Sequence, residues 1–403
     1  MDIEVRPCAS VEELRDALNV IGHYFGYENQ IEDAERFAQW TELARVHVAF
    51  EGDRPIGVTG AFSYRMSVPG GESVPAAGIT AVGVLPTHRR RGVLRALMRE
   101  QLEDCRERGD LAAFLWASEG TIYGRYGYGL ASRMGSISLA REHTGFAVPF
   151  QPRGTVRIVD FEESARAFPP LYEQVFAQRP GMNSRSKEWW ETRRLFDNPT
   201  RRRGGPKTRA LLELDGKPAG YAIYWVKQDW AGGSSKGVVS ILEAIAPTPE
   251  AARELWRWLL DFDWTSEFVT DLLPLDHELF MLLAEPRRMR FSVNEGVWVR
   301  LIDVGAALSA RRYNDGEIVL EVEDAFLPEN AGRWRVTPSD AERTDGAADL
   351  RLDVTALGSV YLGGFTFREL VYGSRAEELT PGAAGRADGL FHTDVQPWCA
   401  EIF

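Results

Sequence analysis

The sequence predicts a chain of mixed α/β and α+β structure that is divided into two to three domains. Its 403 residues exceed one ordinary core, because domains typically hold roughly 100 to 200 residues. Hairpin-like pairs of apolar segments alternate with amphipathic helical patterns along the chain. The hydrophobic fraction of 44% supplies enough apolar surface for packed cores and argues against disorder.

The first third of the chain alternates helices and strands. Ser10 and Glu13 have the spacing of a capping box that opens an amphipathic helix, and a second helix is predicted over residues 32–44. Two apolar strands, at 46–50 and 56–64, flank a polar turn and predict an antiparallel hairpin. The next predicted elements are, in order, a strand, a long helix, a strand and a Gly/Tyr-rich turn, at 78–85, 86–108, 112–117 and 120–129.

The order of elements then repeats. After a Pro/Gly linker at 149–155, a hairpin, a strand and a helix are predicted at 208–214, 219–226, 238–246 and 249–261. Beyond residue 295, the pattern predicts strands at 297–302 and 318–322, a helix at 367–372 and a loose loop at 382–389. The predicted domains are therefore 1–150, 151–292 and 293–403.

Charge and cysteine content restrict the class of protein. The net charge of −12 disfavours binding to nucleic acid or anionic lipid and favours polycationic ligands. The cysteines, at positions 8, 105 and 399, are too far apart for a metal motif and are expected to be free thiols. No apolar run approaches the roughly 18 residues of a membrane span, and the N-terminus has no signal-peptide pattern. We therefore expect a soluble, cytoplasmic protein without a metal site.

The most informative segment runs from strand to helix over residues 82–95, VGVLPTHRRRGVLR. The first N–H groups of a helix have no internal partner, and together with the helix dipole they suit a pyrophosphate. Arg90, Arg91 and Arg95 can add charge-assisted bonds to phosphate oxygens, and Gly92 permits close approach. Val93 and Leu94, in the first turn, belong to the same predicted site.

The alternative is that these arginines only solvate a surface helix. Basic residues at a helix start oppose the dipole, so a purely structural helix gains nothing from them, and we favour the binding site. DNA binding through 89–91 or 201–203 is disfavoured by the acidic net charge and the lack of a basic face.

The segment resembles the acetyl-CoA pyrophosphate loop of the GNAT superfamily, with the pattern V-x-V-x-P-x-x-R-x-x-G-x-G/A. The matching positions are Val82, Val84, Pro86, Arg89 and Gly92. Leu94 departs from the usual final Gly or Ala. More closely, PTHRRRGVLRALM at 86–98, ASEGTIYGRYGYG at 117–129 and LGSVYLGG at 357–364 resemble the Eis ("enhanced intracellular survival") family of acetyltransferases.

That resemblance implies a three-part chain. Two GNAT-type domains in tandem would precede an α+β domain like sterol carrier protein, and the chain would form a homohexamer. In the family the second GNAT domain lacks the phosphate loop, and here residues 246–250, APTPE, contain no Arg-x-x-Gly. Acetyl-CoA would be the cosubstrate. The strand residues Val82, Gly83 and Val84 would splay from their neighbour and offer backbone groups to the thioester, and Ser118 and Glu119 would contact CoA.

Tyr123 is the expected general acid. An unperturbed phenol, with a pKa near 10, stays protonated and can donate to the departing thiolate. Tyr126 and Tyr128 alternate with glycines and are expected to pack at the strand entry. Tyr123 occupies the family's proton-donor position, although a core tyrosine is the alternative.

The resemblance assigns the general base to the α-carboxylate of Phe403. The apolar last pair, Ile402-Phe403, is better buried than left in water. Simple packing of this tail on the third domain is the alternative, in which case Glu401 or Glu119 becomes the next candidate base. His88 is expected to be a solvated loop residue.

These observations predict an N-acetyltransferase that acts on a polycationic small-molecule amine such as an aminoglycoside. Acetylation of protein or peptide lysines needs the same catalytic parts and stays open. A lipid carrier with a vestigial first domain is a third possibility, disfavoured by the intact phosphate loop and Tyr123.

Overall fold

A computed structural model describes residues 3–199 and 202–403, so Arg201 of the arginine run considered above lies outside the described residues. The chain forms two compact units. The first unit comprises residues up to Ser132, then Val297–Asp394 and Ile402–Phe403, and the second comprises Arg133–Gly296 and Val395–Glu401. The polypeptide therefore leaves the first unit twice and returns to it twice.

The first unit begins with an α/β segment. Its helices are α1 Val11–Phe25, α2 Ile31–Phe37, α3 Val93–Glu107 and α4 Gly120–Tyr123. Its strands are β1 Glu4–Pro7, β2 Val46–Glu51, β3 Arg54–Ser67, β4 Ser73–Val84, β5 Ala112–Trp116 and β6 Gly129–Leu130. The predicted hairpin and the two later strands are confirmed.

The second unit repeats that order. Its strands are β7 Arg133–Ala140, β8 Thr155–Ile158, β9 Thr208–Leu214, β10 Lys217–Lys227, β11 Trp230–Ala231, β12 Ser234–Ser235, β13 Val238–Ile245, β14 Glu267–Leu273 and β15 Ser292–Glu295. Its helices are α5 Phe161–Phe176, α6 Lys187–Trp189, α7 Pro249–Leu259 and α8 Leu279–Leu282. Within its described residues, seven strands form one sheet in the order β15-β7-β14-β13-β10-β9-β8. The predicted repeat of hairpin, strand and helix is confirmed.

The chain then returns to the first unit. The strands are β16 Val297–Leu301, β17 Ile318–Glu323, β18 Gly332–Val336, β19 Ala341–Arg343, β20 Leu350–Asp353 and β21 Ala376–Glu378. The helices are α9 Val304–Ser309, α10 Val354–Tyr361, α11 Phe367–Tyr372 and α12 Ala383–Phe391. Strands β17 to β21 form the C-terminal sheet, in the order β19-β18-β17-β20-β21.

Strand β16 completes the first sheet. It pairs antiparallel with β5, from Val297 opposite Trp116 to Leu301 opposite Ala112, and it also pairs with β6. Among the described residues, the first sheet thus has seven strands in the order β1-β2-β3-β4-β5-β16-β6. The predicted domain boundaries at 150/151 and 292/293 stay predictions.

Three local expectations need correction. Ser10 does cap α1, but the Glu13 carboxylate binds Arg6 at 2.8 Å. The second helix ends at Phe37 rather than at residue 44, and a separate 3-10 turn at Leu43–Arg45 follows, from which Arg45 forms a buried ion pair with Asp110. The helix predicted from residue 86 begins only at α3, after backbone with positive φ.

The predicted turn at 120–129 and loop at 382–389 are partly helical. The first contains α4 followed by a 3-10 turn, and the second is the helix α12. Ala383, Ala387 and Leu390 are buried at helical spacing, and alanine is the strongest helix former. The glycines of this segment led to the wrong prediction of a loop.

Two other sequence expectations can be compared with the structure. The cysteines at 8, 105 and 399 form no disulfide, as predicted, and all three are buried. Across the described parts of the chain, no helix has the length and apolar character that crossing a bilayer requires.

Candidate active site

The first sheet forks between β4 and β5. Their parallel pairing runs only as far as Ile79 opposite Leu115. Beyond this point β4 pairs on its other side with β3, where Gly83 lies opposite Val58. The backbone of residues 82–84 therefore has an edge that β5 does not cover. The predicted separation of this strand from its neighbour is confirmed.

The segment between β4 and α3 presents an uncapped helix start. Gly92 is the N-terminal cap of α3 at φ +86°, a conformation that favours glycine. A Cβ placed on it would meet nothing of the protein within 4 Å. No side chain of the described chain caps the helix, and its first turn carries no acidic residue. The donors of this turn are thus available to a bound anion.

The side chains around this turn are either basic and exposed or apolar and at least half-buried. Arg90 and Arg91 are exposed, whereas Val93 is buried and Leu94 is half-buried. The hydrophobic pair therefore offers only backbone groups to a ligand. Arg95 is also exposed, and its guanidinium carbon lies 6.0 Å from the centroid of the Phe326 ring, a neighbour that sequence reasoning missed.

Tyr123 lies at the end of α4 and is 5% exposed. Burial raises the pKa of its phenol to about 12, and a hydrogen bond with Ser118 acts in the opposite direction. The phenol is therefore protonated at neutral pH. Ser118 and Glu119, in the segment between β5 and α4, are exposed.

The two competing tyrosines are packed. Tyr128 is fully buried, and its ring lies 6.0 Å edge-on from that of Tyr123. Tyr126 lies 5.3 Å edge-on from the ring of Phe326. Both have the packing role expected from the alternation with glycine.

Phe403 is seated on the first sheet. Its ring lies edge-on to Phe114 at 5.0 Å and to Tyr64 at 5.4 Å. Gly78 leaves the room for this ring, because a Cβ there would lie 3.2 Å from it. A position on the third domain, the alternative considered for the tail, is therefore not what the structure shows. The sequence feature that could have indicated this position is the alternation of aromatic residues in β3, where one serine separates Phe62 from Tyr64.

Tyr123 and the Phe403 ring approach the sheet from opposite faces. Successive side chains of a strand point to opposite sides. Tyr123 packs in a buried cluster with Ala61 and Leu115. The residues next to these in sequence, Phe62 and Phe114, contact the Phe403 ring. The Tyr123 side chain and the Phe403 ring thus lie on opposite faces of a forked sheet.

Two residues considered as bases are engaged elsewhere. His88 is 6% exposed, and its Nε2 lies 3.0 Å from a carboxylate oxygen of Glu51, so it is not the solvated loop residue that was expected. Glu401 is 3% exposed and forms an ion pair with Arg185 at 2.9 Å in the second unit. Burial alone would raise the pKa of Glu401, but the charges of Arg185 and Arg194 lower it. Its carboxylate is thus a structural anion.

Comparison with known proteins agrees with this geometry. Acetyltransferase (GNAT) domain models match residues 4–131 and 181–301, and a sterol carrier protein domain model matches residues 304–400. The forked sheet and the uncapped, basic helix start therefore lie in a GNAT domain. The protein is an N-acetyltransferase with two GNAT domains in tandem and a sterol-carrier-like domain.

Full-length relatives specify the family. An uncharacterized N-acetyltransferase of Streptomyces avermitilis is 39% identical over 397 residues, which are 95% of each chain. The N-acetyltransferase Eis of Mycobacterium tuberculosis is 33% identical over 356 residues, 85% of each chain. The crystal structure of Eis1 from Mycobacterium abscessus superposes with a TM-score of 0.86 at 33% identity, covering 99% of this chain and 100% of that one. The chain belongs to the Eis-like family of N-acetyltransferases.

Proposed function

We propose that this protein transfers the acetyl group of acetyl-CoA directly to an amine, with Tyr123 as general acid and the α-carboxylate of Phe403 as general base. The observation that carries the proposal is the pair of groups at the fork: a buried, protonated phenol on one face and the chain terminus on the other. A direct transfer needs a proton acceptor for the amine and a proton donor for the thiolate.

The loop before α3 fits the pyrophosphate of acetyl-CoA. The uncapped turn at Gly92 supplies backbone donors, and the exposed guanidinium groups of Arg90, Arg91 and Arg95 supply positive charge. The edge of residues 82–84 that β5 leaves uncovered would hold the pantetheine arm and the thioester, beside the exposed Ser118 and Glu119. Acetyl-CoA would contribute the activated acetyl group.

The chain's own groups then move two protons. The carboxylate of Phe403 accepts a proton from the attacking neutral amine as the N–C bond forms. The phenol of Tyr123 donates its proton to sulfur as the C–S bond breaks. The N-acetyl product and CoA thiol balance the reaction, and the proton on the carboxylate returns to Tyr123 through solvent.

The acceptor class rests on charge. A chain of net charge −12 attracts polycations, which supports a polyamine-like substrate such as an aminoglycoside. Lysine side chains of proteins or peptides are the second candidate, since they require the same catalysis. A homohexameric assembly, a cytoplasmic location and the delivery of the base by a C-terminal domain at 293–403 remain parts of the proposal.

Steady-state acetylation of an amine panel tests the function. Aminoglycosides, polyamines and lysine peptides are compared at fixed acetyl-CoA, with release of CoA thiol as the readout. We expect the highest kcat/KM among small polycations, and a preference for peptides would move the proposal to the second candidate. Thermal shift with acetyl-CoA and with fatty acids separates the enzyme from a lipid carrier, which would respond only to the lipid.

The variant Tyr123→Phe tests the mechanism. It keeps the ring and removes the proton donor, so turnover should fall on the order of 10² to 10⁴, with acetyl-CoA affinity retained. Tyr126→Phe is the matched control and should be nearly neutral. The opposite result would move the general acid to Tyr126.

A further inference from the structure

The loop that carries Tyr123 lies directly on the sterol-carrier-like part of the chain. We define residues 119–129 as the acid loop. A Cβ placed at Gly129 would overlap the carbonyl oxygen of Thr355 and lie 2.6 Å from Oγ of Ser359, both in α10. A Cβ at Gly358 would overlap the carbonyl oxygen of Val299. Gly129 therefore permits backbone contact between the loop and α10, and Gly358 of the LGSVYLGG segment permits the close approach of α10 to β16.

Two polar contacts fix the same loop. The hydroxyl of Thr355 donates to the carbonyl oxygen of Gly124, the residue that follows Tyr123, at 3.3 Å. Beneath Gly127 lies the fully buried guanidinium of Arg300, with Nη1 2.6 Å from where a Cβ would be. The loop is thus supported directly after Tyr123, at Gly124, and again at Gly127 and Gly129.

Arg300 is itself held from the C-terminal sheet. Its Nη2 donates to Asp324 at 2.6 Å, and the other carboxylate oxygen of Asp324 accepts the backbone N–H groups of Phe326 and Leu327 at 3.1 and 3.0 Å. Phe326 contacts Tyr126 of the acid loop at 5.3 Å. The support therefore consists of a helix, a buried ion pair and an aromatic contact.

We infer that α10 and the Arg300–Asp324 pair position the general acid, so that the sterol-carrier-like domain acts in catalysis through Tyr123. This rests on the proposed role of Tyr123. The direction of a phenol depends on the loop backbone that carries it, and a displacement of about 1 Å in a catalytic group can cost on the order of a hundredfold in rate. Thr355, Gly358 and Arg300 are positioning residues.

Gly358→Ala tests the support most directly. The added methyl overlaps the carbonyl oxygen of Val299 and must displace α10 from the first sheet. We expect kcat to fall about tenfold or more, with the Kd for acetyl-CoA within about twofold. Gly389→Ala is the matched control in α12, where a Cβ meets nothing within 4 Å, and should leave kcat unchanged.

A second pair of variants serves if Gly358→Ala does not fold. Thr355→Val keeps the shape and removes the hydroxyl that binds Gly124, so kcat should fall several-fold. Thr355→Ser keeps the hydroxyl and should restore it. Equal kcat for the Val and Ser variants would overturn the inference.

Combination with Tyr123→Phe separates positioning from general damage. If the support acts through the phenol, Gly358→Ala, or Thr355→Val in its place, should lower kcat in the wild-type background and have little effect once the phenol is absent. The same fold-loss in both backgrounds, or a folded Gly358→Ala with normal kcat, would overturn the inference. If Tyr123→Phe alone leaves turnover intact, the proposed function itself has failed.

Discussion

Extending the chain by one residue beyond Phe403 is the sharpest test of the terminal base. The Phe403 ring is held by aromatic contacts at 5.0 Å to Phe114 and 5.4 Å to Tyr64, so we expect it to keep its seat. The new carboxylate would then lie one residue further on, a displacement of about 3.5 Å. Since about 1 Å can cost a hundredfold, turnover should fall by at least that factor.

The assay compares chains that differ only at the terminus. A glycine added after Phe403 moves the charge, and a C-terminal amide keeps the length but removes the charge. Both should lose turnover while calorimetry shows near-normal acetyl-CoA affinity, because the loop before α3 is unchanged. Phe403→Leu keeps the carboxylate and loses only ring contacts, so its loss should be smaller, and an N-terminal extension of equal size should have no effect.

The reasoning fails if the extended chain turns over at the rate of the natural one. The terminus would then serve only as packing on the first sheet. Glu401 could not replace it, because its carboxylate is buried against Arg185. The exposed Glu119 or a water relay would be the remaining candidate.

Other variants test separate parts of the structure. Gly92→Glu should abolish acetyl-CoA binding measured by calorimetry, whereas Gly216→Glu has a similar positive φ and open surroundings but should bind normally; equal binding by both would remove the loop assignment. Glu401→Gln removes the negative charge that pairs with the buried Arg185 and should lower the free energy of unfolding by about 3 kcal/mol in urea titrations. The control Glu250→Gln breaks an exposed ion pair and should lower it by less than about 1 kcal/mol. Because the folded pKa of Tyr123 is raised to about 12 from 10, its stabilising contribution is complete below pH 10 and is lost as the pH rises toward 12. The kcat profile should therefore show no loss of the acid between about pH 7 and 9, and a fall there that Tyr123→Phe abolishes would contradict the assignment.

Sequence reasoning succeeded where local patterns determine structure. Alternating strands, the Ser10 cap and the basic turn before α3 depend on neighbours in sequence, and each is present. Sequence reasoning failed where contacts between residues far apart in the sequence determine the structure. The buried pair of Arg45 with Asp110 and the contact of the buried His88 with Glu51 were not predicted. Such contacts join residues far apart in the chain and leave no periodic signal.

The position of Phe403 also depends on contacts between residues that are far apart in the sequence. The resemblance implied a terminal base, but the aromatic residues that hold Phe403 come from two strands of the first sheet, β3 and β5. From the sequence alone, Gly78 is an ordinary strand glycine, and only the structure shows that the Phe403 ring lies beside it. The importance of Gly358 is similarly visible only once α10 is placed against Val299.

The second unit has a forked GNAT sheet as well, and we propose that it does not form a second site. There the pairing of β13 with β14 ends at Ile241 opposite Thr270, as β4 and β5 separate in the first sheet. Just beyond that point Glu243, 4% exposed, forms an ion pair with Arg185 at 2.7 Å. The following helix, α7, is capped by the side chain of Thr248.

In the second unit, the basic side chain near the fork and the start of the helix that follows it therefore already have partners within the protein. The positive charge near its fork is neutralised by Glu243, and the cap of α7 binds one of the helix donors that a phosphate would use. The first unit leaves the start of α3 uncapped and its basic turn exposed. The two forks differ in the uncapped start of α3 and in the exposed basic turn before it, and this is why we place the chemistry in the first.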